Sequence, residues 1–351
     1  MQTVARMALK EGMEIAEDVT CNTGVIAPKG TKVDAILIQK LARHNIMVVE
    51  VMEPEDYATT HNEKVRLSKD FKKFSEVYGY NLTSYKYLVD QFIQNKTPIN
   101  SSLLMNIHDN IAGCAKSREH LIDMLYNMLP SEDDMTYAHC LNSALIANVF
   151  GVWLGLNAED VNTLTLCGFY YDIGKVKLPN KLLWKPGKLS DFEFNWMKTH
   201  TTIGYDLIKE LDLDEHIKNC TLQHHERADG SGYPKHLKDE DIDLFAKYIA
   251  IVDSYEAMTS ARVYRASMHP FQVIANFERT GYEKYGSTII RPILTHIAND
   301  QLGMAVRLSN DMTGTVLLIN NDHLSRPLIK CDDSSVMDLN LNRSLEITAI
   351  Y

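Results

Sequence analysis

Side chains able to hold metal ions stand inside otherwise apolar stretches of this chain. They are His139 in TYAHCLNSALIANVF, Asp172 in FYYDIGK, His200 in MKTHTTIGYDLI, the adjacent His224 and His225 in LQHHE, and Asp253 in AIVDSYEAM. Such groups are rarely buried without a partner or a metal. One histidine on an apolar helix is more often a satisfied core residue than a ligand. Several of them on helices of one bundle point instead to a shared centre. The mixture of imidazole and carboxylate suits Fe, Mn, Zn or Ni, and one carboxylate can bridge two ions.

The chemistry such a centre supports is hydrolysis of a phosphate ester. A metal pair lowers the pKa of a shared water and braces both the attacking and the leaving oxygen. Cationic side chains then hold the remaining phosphate oxygens. Lys175 lies one turn beyond Asp172, and Arg262 and Arg265 follow Asp253 within two to three turns. Read singly, each would be a solvated surface charge; their place next to candidate ligands makes them candidate phosphate contacts. Between His225 and Asp253 runs DGSGYP, whose two glycines permit backbone conformations closed to other residues. Pro234 fixes the exit of that loop. Tyr233 is expected at its edge, placed for a hydrogen bond or for stacking on a ligand.

These residues need helices to carry them. From about residue 65 to 300 the apolar periodicity is helical almost throughout. Ser190 with Glu193 predicts a capping box opening a helix that carries His200. Asn157 with Asp160 predicts the cap of a helix running to Tyr171-Asp172. Leu244, Tyr248, Ile251, Tyr255 and Met258 mark one face of a helix that carries Asp253. The fold class expected is mainly α, a helical bundle with a small module at each end. Residues 1–52 read as an α+β module, with a hairpin punctuated by Gly24, Pro28 and Gly30. Its helix runs over 35–44 with Ile36, Leu37 and Leu41 on one face, and the strand MVVEV follows. Residues 53–64 read as a linker, 65–130 as a helical connecting region and 131–300 as the helical domain. Residues 301–351 read as a β-rich segment with turns at Asn310-Asp311 and Gly314.

The chain has 351 residues, a hydrophobic fraction of 45% and a charged fraction of 23%, the proportions of a globular protein with a large core. Its net charge of -10 and the lack of a basic stripe argue against a DNA or RNA duplex as partner. A small anionic ligand is compatible, because a bound metal pair reverses the local field. No run approaches the roughly 18–20 apolar residues of a membrane span. The opening MQTVARMALKEG lacks the apolar core of a signal peptide. The six cysteines form no CxxC pair and read as reduced, mostly buried thiols. A cytoplasmic protein is expected.

Taken together, His139, DIGK at 172–175, His200, HHE at 224–226, DGSGYP at 229–234 and DSYEAMTSARVYR at 253–265 resemble the HD-GYP family, a branch of the HD metal-dependent phosphohydrolases. The likeness spans roughly residues 130–275. It implies a helical HD domain with two divalent metal ions, iron or manganese, that hydrolyses cyclic di-GMP to the linear dinucleotide pGpG, GMP or both. Carried over position by position, it implies His139, Asp172, His200, His224, His225 and Asp253 as metal ligands, with Asp172 bridging. It implies Lys175, Arg262 and Arg265 as phosphate contacts, with Lys175 and Asp172 catalytic and Tyr233 on the substrate.

One position departs from the family pattern. The adjacent His-Asp that gives the family its name reads Tyr171-Asp172 here. The absent histidine would serve the metal that also takes His139 and Asp253. Tyr171 as a phenolate ligand, a water in its place, and a vacant site are the three outcomes left open. A third metal, which the family places on an acidic residue one turn before the first histidine, is not expected, because Met135 occupies that position. Asp133 and Asp134 are expected instead in the helix amino-terminal turn, where negative charge is favoured.

The expected activity is thus a cyclic di-GMP phosphodiesterase with a modified two-metal site. The rivals are a catalytically impaired receptor or scaffold, and a hydrolase of a related mixed cyclic dinucleotide. The Tyr-rich stretch from about 70 to 130 reads as packing, a ligand sensor or a homodimer surface.

Overall fold

The computed structural model of the chain describes residues 1–21, 24–52, 60–129, 131, 134–183, 185, 187–260 and 267–351. It divides into two compact units, Met1–Lys72 and Lys73–Tyr351.

In the first unit, strand β1 (Gln2–Ala5) is followed by β2 (Val19–Cys21) and β3 (Gly24–Ala27), helix α1 (Ala35–Arg43), strand β4 (Val48–Val51) and helix α2 (His61–Leu67). β2 and β3 form the expected antiparallel hairpin, and β1 pairs antiparallel with β4. Asp34 caps α1 by accepting from the Leu37 amide. Leu37 and Leu41 face a core with Ile15, Val33 and Val51, whereas Ile36 points outward. Thr60 and Glu63 form a capping box that starts α2 inside the stretch read as a linker. The rest of that stretch, 53–59, lies outside the described residues.

The second unit is mainly helical. It holds α3 (Lys69–Asn95, whose first turn precedes the division), α4 (Ser101–Ala112), α5 (Arg118–Tyr126), α6 (Met135–Trp153) and α7 (Ala158–Tyr170). A 3-10 turn at Ile173–Lys177 leads to α8 (Asn180–Leu183), α9 (Asp191–Lys198), α10 (His200–Ile208), α11 (Glu215–Gln223) and α12 (Leu244–Thr259). Then come α13 (Pro270–Tyr285) and α14 (Ser287–Asn299). α6 lies at the centre: Ala138, Leu141, Ala144, Leu145, Val149 and Phe150 are all buried, the pattern of a helix enclosed by others. α7 and α12 pack directly on it.

After α14, strands β5 (Ala305–Leu308), β6 (Thr313–Leu318), β7 (Leu328–Cys331), β8 (Val336–Asp338) and β9 (Ile347–Ile350) form an antiparallel sheet in the order β8-β7-β6-β5-β9. Asp311, at φ 65°, makes the β5–β6 turn, while Gly314, read as a turn residue, sits within β6. His269 Nε2 donates to the Ile347 carbonyl at 2.8 Å and joins this sheet to α13. All six cysteines are free thiols. Among the described residues no helix is long and apolar enough to cross a membrane.

Candidate metal centre

Five segments deliver the ligand-type side chains to one place. α6 brings His139, the end of α7 brings Tyr171 and Asp172, α10 brings His200, the end of α11 brings His224 and His225, and α12 brings Asp253. Asn157 caps α7 by accepting from the Asp160 amide, as its spacing predicts. The Ser190–Glu193 capping box also forms, but the helix it opens ends at Lys198. His200 is the first residue of the next helix, so Thr199 breaks what reads as one periodic run.

The 3-10 turn after Asp172 presses on α10. A side chain at Gly174 would place its Cβ 2.0 Å from the His200 carbonyl oxygen, so only glycine lets Asp172 approach His200 this closely.

The ligand atoms form two clusters, His200 with His224 and His225, and His139 with Asp172 and Asp253. In the first, His200 Nδ1 donates to the Met197 carbonyl at 2.7 Å and His224 Nδ1 to the Cys220 carbonyl at 3.0 Å. Burial pushes the His200 pKa down to about 3 and drives that of His225 well below its ordinary value. A neutral His200 whose proton sits on Nδ1 points the Nε2 lone pair at His224 Nε2, 3.2 Å away, and at Asp172 Oδ1, also 3.2 Å away. His224 Nε2 stands 3.6 Å from the same oxygen. Asp172 is fully buried, and its Oδ1 has no hydrogen-bond donor among the described residues. Lone pairs converging on an orphaned carboxylate oxygen repel one another unless a cation lies among them. The residues fit a metal ion.

In the second cluster, His139 Nε2 lies 3.2 Å from Asp172 Oδ2, 3.1 Å from Asp253 Oδ1 and 2.6 Å from the Tyr171 hydroxyl. Burial opposes charge on this imidazole, but Glu256 and the two aspartates outweigh it and raise its pKa well above the usual range. A proton there does the work a cation would do. Burial likewise opposes ionisation of Asp172 and Asp253. The Lys175 ammonium and surrounding histidines win for Asp172, and His139 and His225 for Asp253, so both carboxyls stay well below their ordinary values. Asp172 therefore offers one oxygen to each cluster, as a bridging carboxylate would.

Tyr171 is fully buried between the two clusters. Its ring meets His224 edge-on at 4.9 Å, and its hydroxyl also contacts Ser143 Oγ at 3.0 Å and Asp253 Oδ1 at 3.4 Å. Burial, then Asp172 and Asp253, push its pKa well above 10, so this environment holds it as a neutral phenol. Lys175 Nζ pairs with Asp172 Oδ2 at 2.5 Å. Burial disfavours its charge, but Asp172 and Asp253 outweigh that and raise its pKa.

Over the clusters lies a cleft of about 320 Å³ lined by Lys175, Phe194, His200, His225 and Tyr233 among others. Met135, first residue of α6, also lines it. Tyr233 stacks on His225 with ring centroids 4.7 Å apart and planes 25° apart. Its loop is held by Glu226, which accepts from the Lys235 amide at 2.6 Å and the Leu237 amide at 3.0 Å. Asp134 is the residue before α6; it pairs with Lys86 at 2.6 Å rather than capping the helix. Arg262, Arg265 and Asp133 lie outside the described residues.

Two acidic residues here carry roles not read from the sequence. Glu226 anchors the DGSGYP loop, and Glu256 accepts from His139 Nδ1 at 2.5 Å. The signal for Glu256 was its place one helical turn beyond Asp253, on the same face of α12.

Residues 121–289 match the family described as HD domain. Among curated relatives, the 3'3'-cGAMP-specific phosphodiesterase 1 of Vibrio cholerae is 36% identical over 145 residues, 41% of this chain and 34% of that protein. A cyclic di-GMP phosphodiesterase of Pseudomonas aeruginosa is 31% identical over 204 residues, 58% of this chain and 49% of its own length. The cyclic di-GMP phosphodiesterase of Thermotoga maritima is 32% identical over 176 residues, 48% of this chain and 47% of that protein. The chain thus spans about a third to a half of the length of the curated relatives it matches.

Proposed function

From the premise that the chain carries an HD domain with the marks of the HD-GYP branch, we propose that it is a metal-dependent phosphodiesterase acting on a cyclic dinucleotide. The observation that carries this reading is the convergence of two ligand clusters on Asp172, whose Oδ1 is otherwise left without a donor. His139, Asp172 and Asp253 would hold one divalent ion, and His200, His224 and His225 with Asp172 would hold the other. Iron or manganese suits this mixture of imidazole and carboxylate. Bound metals supply Lewis acidity and an activated water.

The chain's own residues do the rest. Lys175 is kept charged beside Asp172 and binds a non-bridging phosphate oxygen of the scissile diester. Tyr233 presents its ring at the cleft wall, where a nucleobase can stack. Arg262 and Arg265, which follow α12, add cationic contacts to the second phosphate.

Cyclic di-GMP and 3'3'-cGAMP, which the relatives' names give as their substrates, are the substrates to test. Protein prepared without oxygen and loaded with Fe(II) or Mn(II) is incubated with each, beside an Asp172→Ala control, and products are separated by chromatography. Linear dinucleotide or mononucleotide formed only by the intact protein supports the enzyme, and the faster substrate identifies its preference. One observation favours a second reading: the Tyr171 hydroxyl occupies the side of His139 and Asp253 where a further ligand would stand. Tight binding of either dinucleotide without product supports a receptor; neither binding nor turnover overturns both readings.

A further inference from the structure

The hydrogen-bond chain that ends on His139 begins outside the matched HD segment, on α3. Tyr78 is buried with its ring 6.1 Å from that of Phe74, and its hydroxyl donates to Asn142 Oδ1 at 2.7 Å. Asn142 Nδ2 donates to Glu256 Oε1 at 3.0 Å, and Ser260 Oγ donates to the same oxygen at 2.5 Å. Glu256 Oε2 accepts from His139 Nδ1 at 2.5 Å. Tyr78, Asn142 and Glu256 are 1%, 3% and 3% exposed, so the links from Tyr78 to Glu256 lie in the interior, and the last one, to His139, borders the cleft.

The polarity of the chain is the same at every step. A phenol hydrogen facing Asn142 requires the amide oxygen on that side, which turns the NH₂ toward Glu256. The reverse orientation would set the amide oxygen against a carboxylate. With both donors in place on Oε1, Glu256 presents Oε2 to His139 and holds its proton on Nδ1. Nε2 is then left facing Asp172 and Asp253. A carboxylate behind a ligating imidazole fixes the ring and raises its basicity.

We propose that Tyr78 is a positioning residue for the metal centre. Through Asn142 and Glu256 it sets the orientation and tautomer of His139, so that the position of α3 is read at one metal site and not at the other. The inference rests on the two-metal reading above. His200 Nδ1 and His224 Nδ1 are held instead by backbone carbonyls of their own segments, so among the described residues no hydrogen bond of the relay reaches either imidazole.

The test is Mn(II) titration of the metal-free 351-residue chain by calorimetry, with the two binding steps assigned through His139→Ala and His225→Ala. Tyr78→Phe keeps the ring and removes the hydroxyl. It is expected to weaken the His139 site roughly 3- to 10-fold and leave the other site within about twofold. Glu256→Gln, one link nearer, is expected to weaken the same site about 10- to 100-fold. Tyr85→Phe is the control for plain structural loss. Its hydroxyl is another buried donor of α3, bonded at 2.5 Å to the Phe169 carbonyl and not to the relay. It should lower thermal stability and leave both Mn(II) affinities unchanged.

Wild-type affinity at the His139 site in Tyr78→Phe would overturn the relay, as would an equal loss at both sites. A wild-type protein that binds no Mn(II) would overturn the two-metal reading and the relay with it. A wild-type protein that binds two ions and turns over substrate, beside an unaltered Tyr78→Phe, would overturn the relay alone.

Discussion

At the scale of single residues the centre depends most on Asp172, which faces three imidazoles and an ammonium from a fully buried position. Replacing it by alanine removes the carboxylate that offers one oxygen to each cluster. Asp172→Ala is therefore expected to lose both metals by elemental analysis and all hydrolysis; full metal content would sink the bridging assignment. Tyr171 is the opposite case, a residue whose replacement should improve the site. Its hydroxyl stands 2.6 Å from His139 Nε2 and 3.4 Å from Asp253 Oδ1, and a phenol that keeps its proton is a weaker donor there than an imidazole. Tyr171→His is expected to tighten the His139 site by at least about tenfold, by analogy with the 10- to 100-fold effects of groups that only support ligands. Turnover should rise with it. Because the exchange also removes a buried ring packed on His224, Mn(II) affinity and not melting temperature is the measurement that decides. Equal affinity in both proteins would mean that the tyrosine already serves the metal adequately.

At the scale of elements, the loop over the centre is positioned by a backbone approach that only glycine allows. A Cβ at Gly232 would stand 2.4 Å from Glu226 Cα and 2.5 Å from the His225 carbonyl oxygen. Gly232→Ala must push the loop away from Glu226, costing about 1–3 kcal/mol of stability as an overpacked core site does. Tyr233 moves with the loop, so kcat/KM for a cyclic dinucleotide should fall at least about tenfold while metal content stays near wild type. Unchanged kinetics would show that the loop does not shape the ligand pocket. The same contrast explains what the sequence disclosed. The side chains that the fold gathers at the centre were legible because imidazoles and carboxylates inside apolar helices are conspicuous, and the helices were legible from their caps at Asn157 and Ser190. The end of α9 at Lys198 was not, because MKTHTTIGYDLI keeps helical periodicity across Thr199, and Thr199 itself keeps right-handed backbone angles of φ -66° and ψ -13°. Glu256 was missed for the reverse reason: a carboxylate on a helix is ordinarily solvated, and only the assembled bundle turns it inward to His139.

At the scale of the whole molecule, the centre ties α6, α10, α12 and the ends of α7 and α11 together, and the imidazoles of His200 and His224 that converge on Asp172 repel one another without a cation. Metal binding should then act as a stabiliser confined to the second unit, Lys73–Tyr351. Each ion present at a hundredfold excess over its Kd adds about 2.7 kcal/mol. For a domain of this size that shifts the melting temperature by roughly 4–5 °C per ion. Chelation should reverse the shift. The first unit has a separate core of Ile15, Val33, Leu41 and Val51, with no ligand from the centre, and should not respond. Hydrogen exchange with and without chelator reads both predictions at once. Amides of α6 around His139 and of α12 around Asp253 are expected to exchange faster in the metal-free protein, while those of β1 and β4 keep their protection. Faster exchange in β1 and β4 as well would show that the metals stabilise the chain as one cooperative body, and no change in α6 or α12 would show that these helices hold their ligands in place without any ion.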